Sequence, residues 1–192
     1  MTDSHAADGP PRALLIAAVV VAVSVLITVL GIAASRQQSP AQQPVAIPSI
    51  PAPQADSRQC HDLLDALPEQ LGDFRRAPTV DPTPPATAAW RAAPDTEPVV
   101  LRCGLERPTD FVVGTPLQVV DEVQWFRVGE TGVPSSGKDA DDQGRSTWYA
   151  VDRPVYVALT LPAGSGPTPI QQISGQIART MQAQEPAPGQ AR

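Results

Sequence analysis

The 192-residue chain contains no asparagine and a single lysine, Lys138. Without Asn there is no acceptor for an N-linked glycan. Histidine is almost missing: apart from His5 near the amino terminus, His61 is the sole imidazole. No Ser-His-Asp set, Gly-rich phosphate loop or zinc-ligand spacing can be traced. Cysteine is limited to Cys60 and Cys103, which excludes a Cys-x-x-Cys redox motif. Positive charge is scarce as well. The formal net charge of −6 argues against charge-driven binding of nucleic acid or anionic lipid.

What the chain does have is one long greasy run. From Ala13 to Ala34 there are 22 residues without a charge, and Ser24 and Thr28 are the polar ones. As a helix this run spans roughly 33 Å, enough for the ~30 Å core of a bilayer. It exceeds the usual 7–15-residue core of a signal peptide, so the expectation is an uncleaved signal-anchor. Small residues at Gly31-Ile32-Ala33 and Ala33-Ala34-Ser35 keep cleavage open as the alternative. No cysteine follows closely enough to accept a lipid. Arg12 and Arg36 flank the run almost evenly, so charge gives orientation only a slight bias. The even cysteine pair suits an oxidising compartment. Residues 1–12 are therefore expected in the cytoplasm and everything after Arg36 outside it.

Prolines at 40, 44, 48, 51 and 53 mark residues 35–57 as a Pro-rich linker with polyproline II character. One α+β domain is expected over 58–183, with 184–192 a disordered tail. Asp56 or Ser57 caps a first helix, with Cys60, Leu63, Leu64 and Leu67 on one face and Pro68 as the stop. Residues 78–98 carry six prolines and read as irregular, with Trp90 their one large apolar anchor. Val99–Leu105 is a β-branched strand. Leu117–Val128 alternates weakly as one strand, with Val119, Asp121, Val123 and Trp125 on one parity; Asp121 there signals a bulge or register change. Thr147–Val151 and Val155–Leu161 flank Asp152-Arg153-Pro154 as a hairpin. Gly129–Gly144 reads as a mobile loop. Thr168 as cap, Pro169 at the first helical position, and the stripe Ile170, Ile173, Ile177, Met181 give a final helix. The expected domain is an antiparallel sheet with both helices on one face. Cys60 and Cys103 then staple helix to strand.

His61 beside Cys60 suggests a nucleophile and base, but adjacent helical residues diverge by about 100° and a disulfide sulfur cannot attack. Ser135-Ser136-Gly137-Lys138 has Ser-x-x-Lys spacing but lacks the two companion signatures. Asp139, Asp141, Gln143 and Gly144 imitate a calcium loop whose closing Glu falls at Ala150. No catalytic, cofactor-binding or metal-ligating residue is assigned. Trp90 and Trp125 are weak binding candidates against a reading as core. Arg102 is a third, either for an acidic ligand or paired internally with a carboxylate such as Asp121.

Trp90, the run Pro98–Gly104 with Pro108, then Val120, Val123 and Trp125, and finally Arg153–Val157 together resemble an uncharacterised actinobacterial family, domain-of-unknown-function family 3515. The resemblance covers roughly residues 58–183, and Leu-Arg-Cys-Gly is its most specific part. Arg91 departs from the family's usual Gly. The resemblance implies a secreted or membrane-anchored cell-envelope protein, and it supplies no activity or site residues.

The expected function is a single-pass, extracytoplasmic, non-catalytic module that binds a ligand or a cell-envelope protein. The alternative is an envelope hydrolase or transferase using Asp and Glu, which requires a cleft with two carboxylates ~5–10 Å apart. No cofactor is expected, and the oligomeric state is left open.

Overall fold

The computed structural model describes residues 16, 19–28, 43–129 and 144–191. The chain divides into two compact units, Met1–Ala41 and Gln42–Arg192. In the first, residues 19–28 are helical. Its two hydroxyls turn back onto their own backbone: Ser24 Oγ donates to the Val20 carbonyl and Thr28 Oγ1 to that of Ser24, each at 2.8 Å. No helix among the described residues is long and apolar enough to cross a membrane. Residues 13–15, 17–18 and 29–34 of the expected span lie outside the described residues.

The second unit is the α+β domain. Helix α1 (Arg58–Asp65) precedes eight strands: β1 (Gln70–Leu71), β2 (Phe74–Ala77), β3 (Thr87–Arg91), β4 (Val99–Leu105), β5 (Gln118–Val120), β6 (Val123–Gly129), β7 (Ser146–Ala150) and β8 (Tyr156–Leu161). Helix α2 (Thr168–Thr180) follows. The strands form one sheet in the order β1-β2-β3-β4-β8-β7-β6-β5, and every neighbouring pair is antiparallel. Two four-stranded meanders thus meet where β4 pairs with β8.

Both helices pack on one face, as the apolar stripes require. Ser57 caps α1, its Oγ accepting the Cys60 N–H at 3.3 Å. Cys60 and Leu63 are buried, and Leu64 and Leu67 pack against the same core. In α2, Ile170, Ile173 and Ile177 are buried, joined by Met181 just beyond its end. The sheet answers with Trp90, Leu101, Trp125, Val157 and Leu159, all fully buried. Each such side chain contributes roughly 1.5–3 kcal/mol on burial. Helix α2 starts one residue before the expected place: Pro167 stands at the cap without a side-chain bond, and Thr168 is already helical.

The opposite face of the sheet has its own covers. Val45 and Ile47 are buried against Ala77, Ala89 and Val100. Val45 is tied to the edge by Val45 N–H to Pro78 O at 2.8 Å and Val80 N–H to Val45 O at 3.0 Å. The C-terminal half of the expected linker is therefore a strap on the domain. The strap then passes β4 at Gly104, where Gln54 N–H bonds the Gly104 carbonyl at 3.0 Å. Gly104 sits at φ +83°, at a register shift between Cys103 and Leu105. A Cβ there would collide with the backbone of Gln54 and Ala55. Over the other half of this face, Phe111 packs on Phe126 and Val151. The expected frayed tail lies along that segment: Val113 N–H bonds Gly189 O at 2.9 Å and Gly189 N–H bonds Phe111 O at 2.8 Å.

Three expectations need correction. Residues 78–98 contain β3, which places Trp90 in a strand opposite Arg76 and Val99. The single strand expected over 117–128 is a hairpin. Val120 faces Val123 across a turn at Asp121 and Glu122, with Asp121 at φ +51°. The turn reverses the chain, so Val120 and not Val119 shares the face of Val123. The third correction concerns Asp121, which makes no ion pair with Arg102. A buried pair forms instead between Asp152 Oδ2 and Arg153 Nη1 at 2.8 Å.

Candidate functional site

Cys60 and Cys103 form a disulfide, with Cα atoms 5.6 Å apart and both residues fully buried. It joins α1 to β4 across the helix–sheet interface. His61 is exposed on α1, and with Cys60 oxidised the nucleophile–base reading has no thiol. The Ser-x-x-Lys segment 135–138 and the acidic segment 139–143 lie outside the described residues. Among the described residues no group of three or more potential ligands could hold a metal.

The three weak binding candidates are not brought together. Trp90 and Trp125 are core residues. Trp90 Nε1 donates to Pro68 O at 2.9 Å, beneath the Arg76 guanidinium, and Trp125 Nε1 donates to Ser174 Oγ at 3.0 Å. Burial lowers the Arg76 pKa, and nearby Glu69 partly offsets this. Arg102 points to the opposite face. It shares a row with Ala158 and Tyr149, and makes no hydrogen bond or ion pair among the described residues. Burial lowers its pKa; Tyr149 pulls upward and Arg145 downward. Burial likewise raises the Tyr149 hydroxyl, with Arg102 lowering it and Asp110 raising it further. The crevice beside Arg102, between Pro48, Pro84 and Leu105, holds about 10 Å³, room for about one water.

A larger pocket lies elsewhere, on the helix side. Its volume is about 450 Å³, within the range that holds small molecules. The β5–β6 hairpin forms one wall and the first turn of α2 another, through Ile170 and Gln171. The loop 162–167 closes a third side, and Arg127, Ser146 and Trp148 form the inner wall. Arg127 is only 5% exposed, and its guanidinium lies 5.1 Å from the centre of the Trp148 ring. This cation–π contact offsets part of the cost of burying the charge. Trp148 Nε1 in turn donates to Ser146 Oγ at 3.1 Å, which fixes both side chains. The lining is mixed, with Trp148, Leu161 and Ile170 beside Arg127, Ser146 and Gln171. Asp121, exposed on the hairpin turn, is the one carboxylate in the described lining.

Sequence reading missed this pocket because its walls come from four separate segments. One signal existed. Arg127 continues the inward parity of Val123 and Trp125, and a charged residue on a core-facing row requires an explanation.

Fold and pocket together define an α+β domain with helices on one face of an antiparallel sheet and a small-molecule-sized recess at the edge of that layer. The chain belongs to the family described as "Protein of unknown function (DUF3515)", whose model matches residues 19–186. That match bears out the resemblance and extends it towards the amino terminus. No curated protein and no solved structure matches the chain.

Proposed function

We propose that this protein is a single-pass, membrane-anchored module of the actinobacterial cell envelope, whose domain faces outward and binds a small ligand without transforming it. The pocket of about 450 Å³ carries the binding part of this reading. Its lining combines apolar surface with a few fixed polar groups, the composition typical of ligand sites. The described lining offers one carboxylate, so the pocket lends no support to an Asp/Glu hydrolase or transferase, which needs two. The uncharged run 13–34 supports the anchor, and the hydroxyls of Ser24 and Thr28 are already satisfied within the helix, as an apolar surrounding demands. The buried disulfide supports an oxidising location.

Native mass spectrometry of the full chain, extracted from its own membranes, tests the binding part. The expected spectrum contains a species heavier than the polypeptide by one small molecule. The variant Ser165→Trp, which places an indole in the pocket, should lose that species. A wild-type chain carrying nothing, or an adduct retained by the variant, would overturn the reading.

A further inference from the structure

We propose that the sheet face turned away from the helices binds the dianionic phosphate group of a small solute, held by Arg102, Arg145 and the Tyr149 hydroxyl. This site shares no residue with the pocket and does not depend on it. One straight row crosses five strands here: Thr87, Arg102, Ala158, Tyr149 and Phe126 are successive cross-strand partners. The strap covers Val100 on one side of the row, and Phe111 covers Phe126 at its far end. Between these covers, two long side chains flank a small one. Strands two apart are separated by about 9–10 Å, so Arg102 and Tyr149 can meet over Ala158. Ala158 is accordingly buried.

Neither long side chain is used up within the domain. Arg102 Nε is buried without an acceptor, and the Nη groups, also without one, are not buried. The Tyr149 O–H has no acceptor among the described residues. In the next row Thr147 and Thr160 share one hydrogen bond of 3.0 Å, which leaves one of their two protons over. The Tyr149 ring is held by stacking on Phe126, with centroids 6.2 Å apart. Arg102 borders the narrow crevice with Pro48, Pro84 and Leu105. A stem that merely covers Ala158 needs no charge, and burying Nε without an acceptor costs free energy.

Charge decides which acceptor fits. Arg145, exposed just before β7, is close enough to repel the Arg102 charge. The carboxylate acting on this group is Asp110, which is exposed and faces Tyr149. Two guanidiniums against one carboxylate leave a positive spot on a chain whose net charge is −6. An anion between the guanidiniums removes their repulsion, and a dianion serves both. A phosphate monoester carries about −1.5 to −2 charges at neutral pH and offers three strong acceptor oxygens. Guanidinium forks match such oxygens in pairs. A carboxylate brings one charge and two oxygens. A polyanion is repelled by the rest of the chain.

Phosphorus-31 NMR of methyl phosphate tests this, at about pH 7.5, where the ester is dianionic, and at low salt. The full chain is held in dodecyl maltoside, a detergent without phosphorus. Broadening of the resonance reports binding, and dimethyl phosphate and acetate are added as monoanionic competitors. Methyl phosphate should bind at least about fivefold more tightly than either. Arg102→Met keeps a stem over Ala158 and should weaken binding by about tenfold or more. Arg145→Met should weaken it several-fold, as should Tyr149→Phe, which keeps the stack on Phe126. Arg179→Met removes the same charge from the exposed end of α2 and should change nothing. Should Arg102→Met fail to fold, the Arg145 and Tyr149 variants decide alone. No binding by the wild-type chain would overturn the proposal. Unchanged binding in both of those variants, or an equal loss in Arg179→Met, would overturn it too. Dimethyl phosphate or acetate bound as tightly as methyl phosphate would overturn the assignment of a dianion.

Discussion

Replacing Gly104 by alanine should damage the domain far more than one methyl group suggests. Three costs can be separated. At φ +83° an L-residue with a Cβ is strained, by about 1–2 kcal/mol. The added Cβ meets the backbone of Gln54 and Ala55 rather than a flexible side-chain end, so the strap itself must move. Overpacking of this kind costs about 1–3 kcal/mol. Moving the strap also gives up the bond from Gln54 N–H to Gly104 O, worth about 1 kcal/mol. The sum is about 3–6 kcal/mol, a large share of a typical domain stability of about 5–15. Urea unfolding of the full chain, followed by tryptophan fluorescence, measures it. Gly164→Ala is the control: Gly164 has φ +68°, but a Cβ there meets nothing within 4 Å. It should cost only the strain, about 1–2 kcal/mol. Equal destabilisation by the two substitutions would refute the argument that the strap presses on β4.

The other predictions follow from single contacts. Cys60→Ala and Cys103→Ala should each destabilise by about 4 kcal/mol, the chain-entropy value for a loop of 43 residues, and the double variant should cost little more; additive losses in urea unfolding would show that the sulfurs act separately. Arg153→Met should cost about 3–5 kcal/mol in the same assay, because it leaves Asp152 buried without its cation, and a loss below 1 kcal/mol would contradict that. The chain has two tyrosines, and burial raises the pKa of both Tyr149 and Tyr156 above the ordinary 10.0. A proton held more tightly in the folded state contributes stability below the unfolded pKa, and this is lost as pH rises through the folded values. Phenolate absorbance should therefore stay low at pH 10 in the native protein and reach half its full value near pH 10 in urea; half-ionisation at pH 10 in the native protein would refute the burial.

How much of this was legible depended on whether a segment carried its own signal. Helix α1 announced itself through a cap, an i, i+3, i+4, i+7 stripe and a terminal proline. β4, β8 and α2 were equally explicit in their branched runs and stripes. The cysteines, one on each of two apolar elements, foretold the staple. β1, β2 and β3 were hidden because they are two to five residues long and lie among Gly and Pro. Their pairing is decided by neighbours distant in sequence, which no local period records. The strap was missed for a related reason: prolines obscured Val45 and Ile47, two residues apart and both facing the sheet. The hairpin at Asp121 was half visible, since an aspartate on the inner row flagged trouble without saying that the chain reverses. The pocket left almost no trace. Its donors, Arg127 and Ser146, sit on two strands and gain meaning only when β6 and β7 pair and α2 packs beside them.

The central claim, an anchored domain that folds outside the cytoplasm, is tested most directly by mass analysis of the membrane fraction without reductant. Peptides containing Cys60 and Cys103 should be recovered linked to each other, from a chain that still carries residues 13–34. A soluble product beginning near Ala34 or Ser35 would contradict the anchor, and free thiols at both cysteines in the native membrane would contradict the location.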